Sequence, residues 1–374
     1  MQGDPMSFPR QPLSAGARRS LRAGARATAG ALLALAGWAA AQPGQGPVAA
    51  PLVRPAIALR TPSQAALMGL ARAGDRLVAV GERGAILLSD DQGAHWRQAR
   101  AVPVSVTLTA VQFVDARQGW AVGHQGVVLH SEDGGEHWVR QLDGQQAAQL
   151  TLEEARAGGD ARRIAEAERA VAEGSDKPLL ALSFRDAQHG LVAGAFNLLL
   201  RTDDGGRHWT SQAAQLDNPK AAHLYALARQ GQTLLIAGEQ GLVLSSDDGG
   251  VHFQRSQTPY DGSFFTAAVE PDGAWLVAGL RGHAYRSRDG GRSWQALSEV
   301  APVGITAVTQ DTRGRLWLVN QAGEVMTPKG DHALTTRART TAQQPGALLL
   351  LADGRALLAG WNGLTTTDAL RVQP

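Results

Sequence analysis

The chain reads as an all-β protein, a seven-bladed β-propeller of four-stranded blades, on three observations. The string Ser/Thr-x-Asp-x-Gly-x-x-Trp/Phe occurs five times, a Gly-flanked hairpin motif precedes each copy and recurs twice more, and the period is about 40 residues.

The five strings are SDDQGAHW from Ser89, SEDGGEHW from Ser131, TDDGGRHW from Thr202, SDDGGVHF from Ser246 and SRDGGRSW from Ser287, spaced 42, 71, 44 and 41 residues apart. The long interval must hold an insertion. Each string reads as a tight turn between antiparallel strands, an Asp box. Its hydroxyl and its aspartate (Asp91, Asp133, Asp204, Asp248, Asp289) bond backbone amides, and the closing aromatic packs across the blade. The spacing lacks the oxygen ligands of a calcium loop, so the boxes are expected to be structural. The upstream motif joins alternating apolar strands by a short turn: VGERGAILL at Gly81, VGHQGVVLH at Gly123, AGAFNLLLR at Gly194, AGEQGLVLS at Gly238 and AGLRGHAYR at Gly279. VNQAGEVMT near Asn320 and AGWNGLTTT at Gly360 continue it without a proper box and bring the blades to seven. Blade two is expected to run through TAVQFVD, GWAVGH, GVVLHS and HWVRQL as strands a to d, counted outward from the channel.

The organisation predicted is an export signal over 1–41, a linker with a possible closing strand over 42–60, and a propeller over 61–374 carrying a helical insertion at 142–178. Residues 1–41 hold five arginines, one acid and the 15-residue apolar run ATAGALLALAGWAAA ahead of a small-residue site. That is the pattern of a cleavable signal, and the run is shorter than the roughly 20 residues of a membrane-spanning helix. Cleavage is placed after Ala41, by the general or the twin-arginine route. The mature chain then carries 31 basic against 33 acidic residues, no footprint for nucleic acid. There is no cysteine for a disulfide or for thiol chemistry. The spare N-terminal segment 52–60 is a candidate outer strand for the last blade, where the final strand ALRVQ is short. The insertion predicts an amphipathic helix, or a helical hairpin broken at Gly158-Gly159, with Ala161, Ile164, Ala165, Val171 and Ala172 on one stripe opposite Arg162, Glu166, Arg169 and Glu173.

Strand alternation puts the b–c turns and the d-to-a links on one face and the Asp boxes on the other. The side chains expected at the channel mouth are Glu82, Arg83, His124, Gln125, Phe196, Asn197, Glu239, Gln240, Leu280, Arg281, Gln321, Trp361 and Asn362. Polar tips beside exposed aromatics suit a protein partner. The histidines are scattered, several of them inside boxes, so neither a zinc cluster nor a Ser-His-Asp set can be assembled. No metal, cofactor or catalytic residue is expected, and a monomer is.

At the boxes, at the VGxxG turns and in the strings DKPLLALSF and PYDGSFF from Pro259, the chain resembles the photosystem II assembly and stability factor family and its relatives in non-photosynthetic bacteria, over about residues 60–370. The resemblance implies a seven-bladed propeller exported to lumen or periplasm, without known catalysis, that binds a membrane reaction-centre subunit in phototrophs. A heterotrophic relative needs another client, for instance a membrane transport complex. The boxes also occur in sialidases, which makes a sialidase-like glycoside hydrolase the alternative. That chemistry needs three convergent arginines, a tyrosine nucleophile with a glutamate partner, and an acid. The candidates here are Arg83, Arg281, Tyr260, Asp261 and Glu82 or Glu239, and no third arginine is evident.

Overall fold

The computed structural model describes residues 50–174, 176–298 and 301–367. These form seven antiparallel sheets in chain order, six with four strands in the order a-b-c-d and a seventh with three among the described residues. Blade two has strands Leu108–Phe113, Gly119–Gly123, Val128–Ser131 and Val139–Leu142, within one or two residues of the expected ones. The a strands (Leu67–Ala73, Leu108–Phe113, Leu179–Phe184, Leu224–Gln230, Phe264–Val269, Ile305–Gln310 and Ala347–Leu350) each pack against the a strand of the next blade. Blade one closes the ring against blade seven through Leu67, Ala79, Leu87 and Ala359. The chain is therefore a seven-bladed β-propeller.

One backbone hydrogen bond repeats in every blade. The first N–H of the b–c turn donates to the carbonyl at the entrance of strand a: Glu82 to Ala66, His124 to Thr107, Ala195 to Pro178, Glu239 to His223, Leu280 to Ser263, Gln321 to Gly304 and Trp361 to Gln343, at 2.9–3.1 Å. The close approach explains the residue that ends strand b. A Cβ on Gly123 would collide with the Thr107 carbonyl, so this glycine is required for room and not for its backbone angles, which are extended. Blade six carries buried Asn320 here instead. Its Oδ1 accepts the N–H groups of Ala322 and Glu324 at 3.1 and 3.0 Å and ties the turn from within.

The Asp boxes lie on the opposite face and share the hydroxyl–aspartate–glycine part of one geometry, while the indole bond that completes it occurs in the first three. In the third box Thr202 Oγ1 donates to Asp204 Oδ1 (3.0 Å) and accepts the Gly206 N–H (2.8 Å). Asp204 Oδ1 accepts the His208 N–H, and Trp209 Nε1 donates to the Gly206 carbonyl. The aromatics fill space between blades as well as across them: Trp138 meets Phe113 edge-on in the core shared by blades one and two. The His95 and His208 backbone N–H groups, backed by their imidazoles, pull Asp91 and Asp204 down to about 2, and the Ser293 hydroxyl and N–H do the same for Asp289.

Blade six lacks a box and is held from its neighbour. Arg286, in strand c of blade five (Ala284–Ser287), is buried and donates to Glu270 Oε2 and to Asp331 Oδ1, each at 2.7 Å. Asp331 belongs to the c–d turn of blade six and also accepts from Arg288.

The insertion is a helical hairpin, α1 (Gly144–Gly158) and α2 (Ala161–Glu173). Asp143 and Gln146 form a capping box at the start of α1, Gly159 ends it in the left-handed region, and the Asp160 side chain caps α2. α1 packs on the propeller, with Ala147 in the core of blades two and three. Glu154 accepts from Ser211 Oγ, the Ala214 N–H and Arg163. α2 rests on α1 through Ala167, Ile164 and Val171, whereas Ala161, Ala165 and Ala172 of the expected stripe are exposed.

The N-terminal segment departs from expectation. Residues 52–60 form no strand and add none to blade seven. They run across blade one, where the Ile57 N–H donates to the Arg83 carbonyl and the Ala56 N–H to that of Val102, while Gln98 Oε1 accepts the Leu59 N–H and Gln98 Nε2 donates to the Ile57 carbonyl. The reason lies in the d-to-a link of blades one and two, which offers the Val102 carbonyl to the Ala56 N–H and the apolar Val102 and Val104 for Leu52 and Ala56 to cover. The signal over 1–41 and the strand ALRVQ lie outside the described residues.

Two outcomes test the fold. Arg286→Ala strands a buried Glu270, whose pKa burial already raises, and should destabilise the chain by about 3 kcal/mol in urea denaturation. The box carboxylates have folded pKa values below the unfolded value of about 4. Their stabilisation is therefore complete above that pH and is lost as pH falls towards about 2. Asp204→Asn should flatten this acid slope of the unfolding midpoint, with the loss of stability greatest at neutral pH.

Candidate binding face

The b–c turns lie together on the face opposite the boxes, one per blade. Glu82, Arg83, His124, Phe196, Gln240, Leu280, Arg281, Gln321, Trp361 and Asn362 are exposed there, whereas Gln125, Asn197 and Glu239 are half-buried. Several tips are spent locally. Asn197 donates to the Ala213 carbonyl and accepts from Asn218, Asn362 accepts the Gln343 N–H, and Gln240 accepts from Lys220. Gly126 in the blade-two turn abuts the backbone of Gly144, so α1 rises beside His124 and Gln125. Arg83 and Arg281 have no carboxylate partner among the described residues.

Most of these tips stay on separate blades, but the structure joins two of them through residues that sequence reasoning missed. Phe196, in the left-handed region at φ 55°, meets His223 edge-on at 4.5 Å. His223 leads to Tyr225 at 6.1 Å, and Tyr225 to Phe265 at 5.6 Å. This aromatic strip runs from the blade-three turn across the inner strands of blades four and five. Glu239 holds its centre, accepting the His223 N–H at 2.9 Å and the Tyr225 hydroxyl at 3.0 Å. Tyr225 and Phe265 occupy the bulged second position of strand a, the place taken by Thr109 and Thr306 in blades two and six. Thr109 bonds the Leu179 carbonyl and Thr306 that of Pro345, each in or beside the next inner strand. Aligning the repeats on this position in the sequence would have found both aromatics.

The turn of blade three also borders a groove of about 780 Å³ between the helical hairpin and residues 213–221. Its floor is small and apolar, including Ala148, Ala167, Leu198, Ala213 and Leu216, and Phe196 stands at its edge with the Lys177 ammonium 5.0 Å from the ring centre.

The sialidase-like set is not assembled. Arg83 and Arg281 belong to blades one and five, and the Tyr260 hydroxyl donates to the Leu280 carbonyl while its ring stacks on His283 at 4.1 Å. The tyrosine that does meet a glutamate is Tyr225, and burial together with Glu239 pushes its pKa up to about 12, away from a nucleophilic phenolate. Burial also raises Tyr260 and Tyr285, the other two tyrosines of the chain. A titration of the folded protein followed at 295 nm should therefore place tyrosine ionisation above that of the unfolded chain, which ionises at about pH 10.

The model of the family described as photosynthesis system II assembly factor YCF48 matches residues 90–168 and 162–345. A photosystem II assembly lipoprotein Ycf48 of Synechococcus sp. (strain CC9902) is 27% identical over 204 residues, 49% of this chain and 61% of that protein. Among solved structures, YCF48 bound to a D1 peptide is similar at a TM-score of 0.61 and 16% identity, over 84% of this chain and 98% of that one. YCF48 from Cyanidioschyzon merolae is similar at a TM-score of 0.61 and 14% identity, over 82% and 96%. These two share the fold, and with the family model matching more than half of its length, the chain belongs to the photosynthesis system II assembly factor YCF48 family.

Proposed function

We propose that the chain is an exported, non-catalytic propeller that binds a protein partner through the b–c turn face and serves as an assembly or accessory factor for a membrane protein complex. The observation that carries this reading is the composition of that face. Phe196, Leu280 and Trp361 are its exposed large apolar tips, at 56, 40 and 66% exposure, and Arg83 and Arg281 stand among them without carboxylates of their own. Tryptophan and arginine, here Trp361, Arg83 and Arg281, are among the residue types that dominate protein–protein binding energy. The similar solved structure of YCF48 bound to a D1 peptide supports the same class of ligand.

Membrane association has a restricted chemistry in this chain. The Synechococcus relative is named a lipoprotein, but these 374 residues contain no cysteine to carry an acyl group. Among the described residues no helix is long and apolar enough to cross a membrane. In this reading the N-terminal signal supports export to the periplasm, and the partner supports attachment to a membrane. The near-neutral mature charge supports neither nucleic acid nor a highly anionic ligand, and the chain acts as a monomer with no cofactor or metal.

Affinity-tagged protein recovered from envelope extracts of its host should bring down a defined membrane complex. Arg83→Glu and Arg281→Glu, and separately Phe196→Ser, should weaken that recovery by roughly 30-fold each if the side chains are binding hot spots, with unfolding midpoints unchanged. Recovery unaffected by all three would place the interface elsewhere. Turnover of a fluorogenic sialoside that Tyr225→Phe or Tyr260→Phe abolishes would instead establish the hydrolase.

A further inference from the structure

We infer that the groove between α2 and residues 213–221 is a docking site for a short amphipathic peptide segment of the partner, one whose apolar side is flanked by an acidic and a basic residue. This rests on the protein-binding reading above and assigns it a second site, beside the b–c turns. The hairpin creates the space by its own packing. α1 is seated on the propeller, while α2 lies on α1 with only Ala167 buried, so its other flank overhangs the blade-three link. Thirteen residues of α2 make a wall of roughly 20 Å, the length of between three and four helical turns or about six extended residues.

Charge selects the occupant. Of the four cations at the groove, Arg162 is held by Glu166 at 2.8 Å, Arg163 by Glu154 at 2.9 Å and Lys177 by Glu173 at 2.8 Å. Arg169 on α2 bonds only the Ala165 carbonyl and has no carboxylate within ion-pair distance among the described residues. The facing link carries the complementary case. Asp217 lines the groove, its backbone carbonyl accepts from Arg255, and its carboxylate has no cationic partner among the described residues. Asp160, the other lining carboxylate outside an ion pair, is taken up by the Arg162 and Arg163 N–H groups in capping α2. Arg169 and Asp217, on the two walls of an apolar trough, match a zwitterionic segment with an apolar face. An acyl chain would use Arg169 alone. The alanine floor, with Ala148, Ala167 and Ala213, admits the close approach of a peptide's larger apolar side chains.

The test is a selection of random 16-residue peptides by messenger-RNA display on the full chain. It is repeated on Ala214→Trp and Ala170→Trp, which fill the groove from its rim, where Ala214 is exposed and Ala170 half-buried. Peptides enriched on the native protein should carry an apolar core between an acid and a base. They should lose at least tenfold in affinity on each filled variant, and a similar factor on Arg169→Glu and on Asp217→Lys. Charge-swapped peptides should recover binding to the double variant. The inference is overturned if no peptide is enriched, if enriched peptides bind the filled variants equally, or if Asp217→Lys has no effect while oleate displaces them. Peptides that ignore the groove variants but fail on Arg83→Glu or Arg281→Glu would sink the groove and leave the turn-face reading standing. Ala214→Trp should unfold at the same urea concentration as the native chain, and intact binding by both tryptophan variants counts against the site.

Discussion

A single backbone hydrogen bond, from the b–c turn to the carbonyl that opens strand a, sets the geometry of the binding face. It ties two segments of each blade that a four-stranded meander would otherwise leave as independent loops. Because the donor and the acceptor are both main-chain groups, side chains at the tip are free to vary from Glu82–Arg83 to Trp361–Asn362 without altering the turn. The requirement passes instead to the residue before the donor. There the space for a Cβ is occupied by a carbonyl, which is why glycine stands there in six blades; blade six departs from the rule with Asn320, whose side chain caps its own turn.

The two faces divide stability and recognition between them. On the box face the carboxylates, hydroxyls and histidines are consumed in short turns, and blade six compensates for its missing box by borrowing Asp331 contacts from Arg286 and Arg288. On the turn face the backbone is equally well bonded but Arg83 and Arg281 are left without carboxylate partners among the described residues, with large apolar tips exposed. Burial and glutamate contact keep the tyrosines protonated, so what this face offers is shape, apolar area and guanidinium groups.

The helical hairpin extends the same logic. Its polar anchor, Glu154, satisfies Ser211, the Ala214 N–H and Arg163 at once, and this fixes α1 to blade three firmly enough that α2 need not touch the propeller. Amphipathicity within α2 was visible in the sequence, but the stripe that is covered is Ile164, Ala167 and Val171, because α1 and not the sheet is its neighbour. The exposed alanines Ala161, Ala165 and Ala172 could not be told from buried ones by periodicity, since alanine scores as apolar on either side of a helix.

Residue spacing by itself determined the blade count, the box turns and the face on which each turn sits, and offered the helical break at Gly158–Gly159 as one of two readings of the insertion. All of these follow from local motifs and from strand alternation, which are properties of nearest neighbours along the chain. The path of residues 52–60, the aromatic strip from Phe196 through His223 and Tyr225 to Phe265, and the groove under α2 were decided by the tertiary structure alone. Each depends on contacts between blades, made by residues tens of positions apart whose proximity comes from closing the ring and is marked by no local pattern.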